Sequence, residues 1–248
     1  MERSDDILDL LKQKKKMSVE DLCKALYCSP ATIRRELAKL EKTGSIKRVR
    51  GGAVIRGGTN FDYSAMYRMS VNIKEKHYIC SLAQDFITSG MSLFLDSSST
   101  VEQLCLYIEK IHCLTVLTNG INTALMLNTN ENTDTYITGG FIERGSNTVL
   151  GELAGDFVNQ FHADLAIISC RGIDSNGAYE ANHQQWLIKR HMISHSQSTI
   201  LLCDSSKFKK SYFHCLSDFK DLTAVITDKK PEDSICEAIT AADCELIY

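Results

Sequence analysis

The sequence has no long apolar run, and its 248 residues include only two prolines and one tryptophan. Its longest apolar segments, such as LAIIS (165–169) and TILLC (199–203), are only as long as strands, so we expect no segment that spans a bilayer. The N-terminal residues mix acids and bases without an apolar stretch, so we expect no export signal. Hydrophobic residues make up 44% and charged residues 24%, which excludes a disordered, fibrous or purely coiled-coil chain. These absences favour a globular, cytoplasmic protein without a membrane partner.

The cysteines and histidines show no metal-binding pattern, because none of them falls at zinc-finger spacing and no two cysteines form a CxxC pair. Six of the ten cysteines lie singly on apolar segments: Cys80, Cys105, Cys113, Cys170, Cys203 and Cys215. A chain of this length without an export signal favours reduced core thiols over a disulfide framework. A redox sensor needs a thiol with a basic neighbour and a resolving partner, which the sequence does not show. We therefore expect no metal and no cofactor.

Charge is distributed unevenly along the chain, although the net charge is only −3. Residues 1–56 contain 14 lysines and arginines against 8 aspartates and glutamates, a net charge of +6. Residues 57–248 contain 14 basic and 23 acidic residues, a net charge of −9. A small basic head before a larger acidic body indicates that the head meets a polyanion while the body has another role.

Three short helical patterns fill residues 3–42. The second is predicted to start at Ser18, a good N-cap that is followed by acidic residues. The third is predicted to start at Ser29 and Pro30, because proline at the first helical position loses no hydrogen bond. The apolar positions that recur at helical spacing are Ile7, Leu8, Leu11, Val19, Leu22, Leu26, Ile33, Leu37 and Leu40. Short helices joined by a brief connection fit a helix-turn-helix.

The polar face of the third helix carries Arg34, Arg35, Lys39 and Lys42, with small alanines between them. Small residues let a helix enter a groove, and long cations reach phosphates or guanine edges. Such a face on its own is more often the solvated side of an ordinary three-helix domain, so charge alone does not establish DNA binding.

The segment after this helix, SIKRVRGGAVI (45–55), consists of two short β-prone runs around a Gly-Gly pair. It predicts a hairpin that lies beside the helix as a wing and carries Lys47, Arg48 and Arg50. The capped helix, its one-sided cations, the basic hairpin and the positive net charge together favour binding to double-stranded DNA.

The run TIRRELAKLEKTGSIKRVRGGA (32–53) resembles the DeoR family of bacterial transcription regulators, whose helix and wing follow the pattern T-I-R-R-D-L-x-x-L-E-x-x-G and then R-x-H-G-G-A. The match covers residues 3–58. Glu36 stands where the family has aspartate, and Arg50 stands where it has histidine, which adds a cation to the wing. The candidate DNA-binding residues are Ser29, Thr32, Arg34, Arg35, Lys39, Lys42, Lys47, Arg48 and Arg50.

From about residue 71, strand-length apolar runs alternate with helical patterns, which predicts a mainly parallel sheet covered by helices. The predicted strands are 91–96, 114–119, 135–140, 163–170, 198–204, 222–228 and CELIY (244–248). The predicted helices are 72–89, 100–110, 121–128, 182–195 and one that opens at Pro231. The expected fold class is α/β, with a small N-terminal winged helix-turn-helix domain before a larger α/β domain.

Polar residues follow directly after these strands, where open α/β sheets bind ligands. The DSSST turn (96–100) connects a strand to a helix N-terminus, whose N–H groups and hydroxyls favour a phosphate. Lys207 would add a charge to the same anion or to another part of the ligand. Each turn taken singly is an ordinary cap or tight turn, which is the simpler interpretation for Asp204 and Asp228. Several such turns at one sheet edge favour a ligand site.

The body resembles the C-terminal sensor domain of the same family, which is similar in fold to sugar-phosphate isomerases. Its motifs appear in order over residues 75–228 as LDSSST, LTNG, ITGG, GID and DSSKF. The resemblance implies that a phosphorylated sugar or related metabolite binds here and changes DNA affinity. The candidate ligand-binding residues are Asp96, Ser97, Ser98, Ser99, Thr100, Asn119, Gly139, Gly140, Arg171, Gly172, Asp174 and Lys207.

Two departures from the family pattern fall inside this candidate site. Ser98 replaces a glycine, and its Cβ would narrow the approach of phosphate to the backbone or demand a conformation that serine tolerates poorly. Arg171 replaces a small residue, so it would recognise an extra anionic group or partly fill the pocket.

The main alternative is an isomerase-like enzyme that carries a DNA-binding head. Asp174 with His183 or His191 would then act as acid–base groups on a sugar phosphate. Both histidines lie in the predicted helix 182–195, where a structural histidine is the simpler interpretation. Sensing needs no turnover, so we expect a regulator rather than an enzyme.

The expected function is a DNA-binding transcription regulator, a repressor by family default, whose operator affinity depends on the bound metabolite. One winged helix buries only a modest area on DNA, so we expect paired half-sites and a homo-oligomer, a dimer or tetramer. The expected boundaries are 1–58 for the DNA-binding domain, 59–71 for a linker and 72–248 for the effector-sensing domain.

Overall fold

The computed structural model describes residues 3–42, 44–55 and 65–248 and divides the chain into two units, Met1–Arg68 and Met69–Tyr248. The elements at the start of the first unit are α1 (Arg3–Lys14), β1 (Lys16–Ser18), α2 (Val19–Leu26), α3 (Pro30–Lys42), β2 (Ile46–Val49) and β3 (Gly52–Ile55). Its strands form an antiparallel sheet in the order β1-β3-β2. The predicted three helices and wing hairpin are confirmed, and β1 adds a third strand to the wing.

The predicted helix caps of the first unit are confirmed. Ser18 Oγ accepts a hydrogen bond from Asp21 N at 3.0 Å at the start of α2. Ser29 Oγ accepts one from Thr32 N at 3.2 Å, and Pro30 is the first residue of α3. Because these caps satisfy otherwise orphan N–H groups, they fix where each helix begins. The buried apolar core of the unit is formed by Ile7, Leu8, Leu11, Met17, Leu22, Ile33, Leu37, Leu40, Ile46 and Ala53.

After the wing, helix α4 (Ala65–Ser70) lies inside the predicted linker 59–71, of which residues 59–64 lie outside the described residues. The later helices are α5 (Ile73–Ala83), α6 (Ser99–Ile108), α7 (Ile121–Leu127), α8 (Glu152–Val158), α9 (His183–Ser194) and α10 (Asp233–Ala241). The later strands are β4 (Ser92–Leu95), β5 (Leu114–Thr118), β6 (Thr133–Ile137), β7 (Phe141–Glu143), β8 (Thr148–Leu150), β9 (Ala163–Ser169), β10 (Gly172–Asp174), β11 (Gly177–Glu180), β12 (Ser196–Leu202), β13 (His214–Ser217), β14 (Ala224–Ile226) and β15 (Glu245–Ile247).

The main sheet of the second unit is parallel throughout and has the strand order β15-β14-β12-β9-β4-β5-β6. Successive residues of β4 face different core clusters. Leu93 and Leu95 pack with apolar side chains of α5 and α6, whereas Phe94 packs with Ala154 of α8 and Ile188 of α9. Helices therefore cover both faces of the sheet, as the continuous apolar strands predict. The predicted α/β fold class is confirmed.

Two smaller sheets stand outside the predicted pattern. Strands β7 and β8 form an antiparallel hairpin after β6, and β10, β11 and β13 form an antiparallel sheet after β9. Helix α8 also falls in a segment without a prediction. The predicted helix 72–89 ends earlier, because α5 stops at Ala83 and a short 3-10 helix, Gln84–Phe86, follows it. Pro231 lies two residues before α10 rather than in its first turn.

All ten cysteines are free thiols. Cys80, Cys105, Cys170 and Cys203 are buried in the core, as predicted. Cys113 and Cys215 are exposed, so the prediction of a core position is wrong for these two. In the parts of the chain that the structure describes, no helix is both long and apolar enough to cross a membrane.

Candidate functional sites

The polar face of α3 is a cationic surface. Arg34, Arg35 and Lys42 are exposed along it. Arg34 also lines a groove that Arg48 of the wing lines from the other side, so cations from the helix and the hairpin converge. Guanidinium groups presented side by side by a helix and a wing are suited to phosphate contacts beside a DNA groove.

Lys39, whose side chain is exposed, neutralises a buried carboxylate of α3 together with Arg35, whose Nε lies 3.5 Å from Glu36 Oε1. Lys39 Nζ lies 3.1 Å from Oε1 of Glu36, and Ser4 of α1 donates to Glu36 Oε2 at 2.9 Å. Burial raises the pKa of Glu36, but hydrogen bonds from Lys39 and Ser4 outweigh it, so the pKa of Glu36 is lowered overall. The Ser4–Glu36 hydrogen bond joins α1 to α3, and Lys39 helps to keep Glu36 charged at this contact.

The wing is fixed to the end of α3 by Glu41. Its Oε1 accepts a hydrogen bond from Arg48 N at 3.0 Å, and its Oε2 lies 3.4 Å from Arg48 Nε. Lys47 and Arg50 on either side are exposed, and Gly51 turns the hairpin with a φ of +80°, which favours glycine. The basic hairpin therefore holds its cations in a defined position beside α3.

Ser29 and Thr32 complete the nine candidate DNA contacts at the N-terminus of α3. Their hydroxyl oxygens lie 3.0 Å apart, and Ser29 is exposed. One of these hydroxyls donates its proton to the other, so the proton of the second is left to donate to a phosphate. All nine candidates lie on α3, at its cap or on the wing.

The candidate ligand site lies where the strand order of the main sheet reverses. From β4 the chain runs to β5 and β6 in one direction, and from β9 to β12 and β14 in the other, so neighbouring β4 and β9 form the switch point. Open α/β sheets bind ligands in the crevice at such a point. Asp96 follows β4, Asn119 follows β5, and Arg171 follows β9 after one residue. The structure thus brings these three candidates to one sheet edge.

The loop from Asp96 to Thr100 leads the chain from β4 into α6. Asp96 is fully buried; its Oδ1 accepts from Ser98 N at 2.8 Å and its Oδ2 from Ser169 N at 3.0 Å. Ser98 is the N-cap of α6, since its Oγ accepts from Val101 N at 3.2 Å. Its φ of −72° is ordinary for any residue, so the predicted strain at this serine is wrong.

The other hydroxyl residues of this loop lie around the first turn of α6. Ser97 Oγ lies 3.4 Å from Oε1 of Gln185, a buried residue of α9. Ser99 and Thr100 are buried in the first turn, and the Thr100 carbonyl accepts from Cys80 of α5 at 3.2 Å. The loop is therefore held between α5 and α9 with its backbone amides at a helix N-terminus, the arrangement that favours a phosphate.

A buried group of four charges underlies this loop, and two of its members were not among the predicted site residues. Lys189 Nζ donates to Glu180 Oε2 and lies 3.3 Å from Asp96 Oδ2. Arg171 Nε lies 3.3 Å from Glu180 Oε1. Two carboxylates and two cations balance, which is the condition under which charges are tolerated in a core. We call these four residues, Asp96, Arg171, Glu180 and Lys189, the charge quartet.

Both members of the Glu180–Lys189 pair are charged. Burial raises the pKa of Glu180, but Lys189 and Arg171 outweigh it and lower that pKa overall. Burial lowers the pKa of Lys189, but Glu180 and Asp96 outweigh it and raise that pKa overall. Arg171 is thus held against Glu180 with its side chain only 12% exposed. Of the two roles predicted for Arg171, this contact supports partial filling of the pocket over recognition of an extra anionic group.

Asn119 carries a buried polar atom that points to a ligand. The residue is fully buried, and its Nδ2 donates to the Val149 carbonyl of β8 at 3.2 Å. Its Oδ1 has no hydrogen-bond partner among the described residues. The next residue, Gly120, packs against the Asp96–Thr100 loop, because a Cβ there would lie 3.2 Å from Ser97 Cα. A buried acceptor without a partner is costly, and a ligand hydroxyl would satisfy it.

The remaining candidates have local structural roles. Gly140 has a φ of +139°, and a Cβ there would lie 2.4 Å from the Leu150 carbonyl oxygen, whereas a Cβ at Gly139 would meet open space. A Cβ at Gly172 would lie 2.0 Å from a backbone oxygen, so close packing requires glycine there. Asp174 accepts from Tyr179 Oη at 3.1 Å in the β10–β11 hairpin. The half-buried Lys207 ends a 3-10 helix after β12.

The two histidines considered for acid–base chemistry make structural contacts. His191 Nδ1 lies 2.6 Å from Asn159 Oδ1, and its ring packs against Gly155 of α8. His183 stacks on Trp186, with ring centroids 5.4 Å apart, and lies beside His214. These contacts hold both rings in the packing around α9, which agrees with the simpler interpretation of both.

The comparisons with known proteins cover both units. Residues 3–57 match the DeoR-like helix-turn-helix domain, and residues 71–229 match the DeoR C terminal sensor domain. The repressor GlcR of Bacillus subtilis is 32% identical over 246 residues, which cover 99% of this chain and 95% of that protein. The glycerol-3-phosphate regulon repressor of Escherichia coli is 30% identical over 240 residues, which cover 96% of this chain and 95% of that protein.

Among solved structures, ribose 5-phosphate isomerase from Plasmodium falciparum is similar with a TM-score of 0.40 at 18% identity, over 54% of this chain and 52% of that one. The two domain matches together span nearly the whole chain, and the relatives are aligned over almost their full length. The chain therefore belongs to the DeoR family of transcription regulators, with a DNA-binding helix-turn-helix domain before a sensor domain.

Proposed function

We propose that this regulator is a repressor that acts in the cytoplasm and that a phosphorylated sugar or related metabolite, bound at the β4/β9 switch point, changes its affinity for operator DNA. The proposal assigns residues 1–58 to DNA binding, 59–71 to a linker and 72–248 to effector sensing. Relatives named as repressors support the direction of regulation. A homo-oligomer presents the two heads that a symmetric operator needs.

The buried, unpartnered Oδ1 of Asn119 beside the Ser97–Thr100 loop is the observation that carries the effector proposal. The amides and hydroxyls of the loop suit a phosphate, while Asn119 suits a hydroxyl of the same molecule. A ligand with both groups satisfies each, whereas inorganic phosphate satisfies only the loop. Phosphorylated sugars and polyols have both groups.

A thermal-shift screen of the full chain against phosphorylated sugars, with glycerol-3-phosphate and inorganic phosphate included, tests this proposal. Specific binding raises Tm by mass action. Asp96→Asn removes the carboxylate that shapes the loop, so we expect it to abolish the ligand-induced rise while duplex affinity, measured by fluorescence anisotropy, stays the same. A panel without any Tm increase, or ligand binding that leaves DNA affinity unchanged, contradicts the proposal.

The alternative of an isomerase-like enzyme is tested with the same panel. Each sugar phosphate is incubated with the pure protein, and isomerised product is sought by chromatography. We expect binding without product, because the charge quartet is fully paired and holds no carboxylate free to abstract a proton. Measurable turnover that Asp174→Asn removes would establish catalysis.

A further inference from the structure

Exposed large apolar side chains are concentrated around strand β6, at one edge of the main sheet. Six of them fall between residues 125 and 153, on α7, β6, the β7–β8 hairpin and the start of α8. They are Leu125 (64% exposed), Tyr136 (46%), Ile137 (43%), Phe141 (54%), Ile142 (62%) and Leu153 (70%). We call these six residues the edge patch. Single exposed apolar residues are normal on a protein surface, but a concentration of this kind marks an interaction site.

Three members of the edge patch, Tyr136, Phe141 and Leu153, lie close to α8 or to aromatic residues that pack on it. The ring of Tyr136 lies 5.9 Å from that of Phe161, which lies 5.2 Å from that of Phe157 in α8. Leu153 precedes Phe157 by one helical turn and so shares its face. Phe141 packs near the start of α8, since its ring would lie 3.1 Å from a Cβ at Gly151. Ile137 directly follows Tyr136 on β6 and so points to the other face of the sheet. The edge patch therefore flanks β6 on both faces of the main sheet.

Strand β6 also offers backbone hydrogen-bonding groups. It pairs with β5 along one side, from Leu114↔Thr133 to Thr118↔Ile137. Along its other side, no strand of the described ranges pairs with it. An unpaired edge strand is a template for pairing with another chain, and β6 carries a single charge, the exposed Asp134, among its five residues.

The size of the patch fits a dimer. The exposed fractions of its six residues correspond to about 700 Å² of accessible surface, against about 800 Å² per partner in a standard interface. We propose that the edge patch is the isologous interface through which two copies of this chain form a dimer. This inference rests on the proposed function only in that a regulator of symmetric operators needs two heads.

The charges of β6 permit this pairing. If two copies of β6 run antiparallel about a two-fold axis at Thr135, Asp134 faces the partner's Tyr136 and Thr133 faces the partner's Ile137. No like charges then face each other across the axis, so the repulsion that disfavours wrong pairings is absent. The same two-fold axis brings both copies of the hairpin to the interface.

The β7–β8 hairpin connects this interface to the effector site. Val149 of β8 exchanges two hydrogen bonds with Asn119, donating from N at 2.8 Å and accepting from Nδ2 at 3.2 Å. Glu143 of β7 accepts from Asn182 at 3.0 Å, and Asn182 caps α9, the helix that carries Lys189. A ligand that binds Asn119 therefore shifts the β7–β8 hairpin, which forms part of the dimer interface. Effector binding is in this way coupled to the relative arrangement of the two DNA-binding domains in the dimer.

Sedimentation velocity of the full chain over a concentration series tests the interface. We expect the wild type to be dimeric, and we expect Ile142→Asp to raise the dimer Kd at least 100-fold, because it places a charge in an apolar contact. Phe213→Asp is the matched control, since Phe213 is 66% exposed on a different part of the surface. Tyr136→Asp provides a second, independent disruption on β6. Circular dichroism checks that each variant is folded.

A monomeric wild type, an unchanged Kd in both Ile142→Asp and Tyr136→Asp, or an equal loss in Phe213→Asp would overturn the proposed interface. The ligand-induced Tm rise, measured in the same variants, separates this outcome from failure of the proposed function. If that rise persists while the dimer is unaffected by Ile142→Asp, effector binding stands and the interface lies elsewhere. If the dimer dissociates, we expect weaker binding to a duplex with two half-sites, because the second DNA-binding domain is no longer held near its half-site by the first.

Discussion

Lys189 Nζ lies between two buried carboxylates, donating to Glu180 Oε2 and lying 3.3 Å from Asp96 Oδ2. Asp96 directly follows β4 of the main sheet, and Glu180 ends β11 of the small antiparallel sheet. The Lys189 ammonium group therefore connects the two sheets beneath the Asp96–Thr100 loop. Because Lys189 also donates to the Ser169 carbonyl at 2.8 Å, its ammonium group makes two hydrogen bonds besides the ion pair with Asp96, and these contacts hold the floor of the site without a ligand.

Replacing Lys189 by methionine keeps the volume of the side chain but leaves Asp96 and Glu180 with only Arg171 for compensation. An uncompensated buried charge costs about 3–5 kcal/mol, so we expect a loss of unfolding free energy of that size in urea denaturation. Lys110→Met is the control, because Lys110 is exposed and should change stability by less than about 0.5 kcal/mol. Equal effects of the two substitutions would show that the quartet contributes nothing to the core.

Stability should depend on pH through Glu180. Its pKa is lowered in the folded chain, because Lys189 and Arg171 outweigh the effect of burial. The stabilisation from Glu180 is therefore present above the ordinary glutamate pKa of about 4.3 and is lost as pH falls through the folded pKa below that value. Urea midpoints of wild type and Glu180→Gln between pH 3 and pH 7 measure this, and we expect the difference between them to shrink on acidification.

The contribution of Lys189 to the free energy of unfolding depends on pH in the opposite direction and is lost at high pH. Its pKa is raised in the folded chain, because Glu180 and Asp96 outweigh burial. Its contribution is present below the ordinary lysine pKa of about 10.4 and is lost as pH rises through the higher folded pKa. In the wild type the contribution of this pair should therefore be constant between pH 6 and pH 9, because Glu180 and Lys189 both stay charged across that range. A steep change inside that range would contradict the assignment of these two charge states.

Part of the charge quartet could be predicted from the sequence. Asp96 could be placed, because a polar turn after an apolar strand has one ordinary location in an open α/β sheet. Lys189 and Glu180 were missed, since charged residues are seldom fully buried and are first assigned to the surface. A signal was nonetheless present: Lys189 falls in the buried stripe of α9 that contains Gln185, Ile188 and Met192, the spacing of a core face.

The main sheet could be predicted because its strands are buried on both faces and so form continuous apolar runs. Strands of the smaller sheets are three or four residues long and mix polar with apolar residues, as in Phe141–Glu143 and Gly172–Asp174. Segments this short have no recognisable period, and their position depends on partners distant in sequence, such as Tyr179 opposite Cys215. The positions of these short strands therefore depend on tertiary contacts and cannot be predicted from the hydrophobic pattern alone.

The neighbouring glycines Gly139 and Gly140 should respond differently to alanine. Gly140 has a φ of +139°, and a Cβ there would lie 2.4 Å from the Leu150 carbonyl oxygen, whereas a Cβ at Gly139 has nothing within 4 Å. We expect Gly140→Ala to cost about 1–3 kcal/mol of unfolding free energy and Gly139→Ala to change it by less than about 0.5 kcal/mol. Chemical denaturation of both variants measures the contrast, and a tolerated Gly140→Ala would mean that the β6–β7 connection relaxes easily.

Substitutions of Arg34 and Lys39, which lie five residues apart on α3, should separate an effect on DNA binding from an effect on stability. Arg34 is exposed and lines the groove that it shares with Arg48 of the wing, so Arg34→Ala should weaken duplex binding and reduce the slope of log K against log salt by about 1. Lys39 is engaged by buried Glu36, so Lys39→Ala should lower Tm and affect DNA affinity less.

Fluorescence anisotropy of the full chain with a labelled duplex, at several salt concentrations between about 50 and 200 mM, measures both affinity and slope for this pair. Lys110→Ala controls for the loss of one positive charge anywhere on the protein, since Lys110 is exposed on the body. If Arg34→Ala binds with wild-type affinity and slope, its guanidinium does not contact a phosphate. The cations of α3 would then be a solvated face, and DNA contact would have to come from the wing alone.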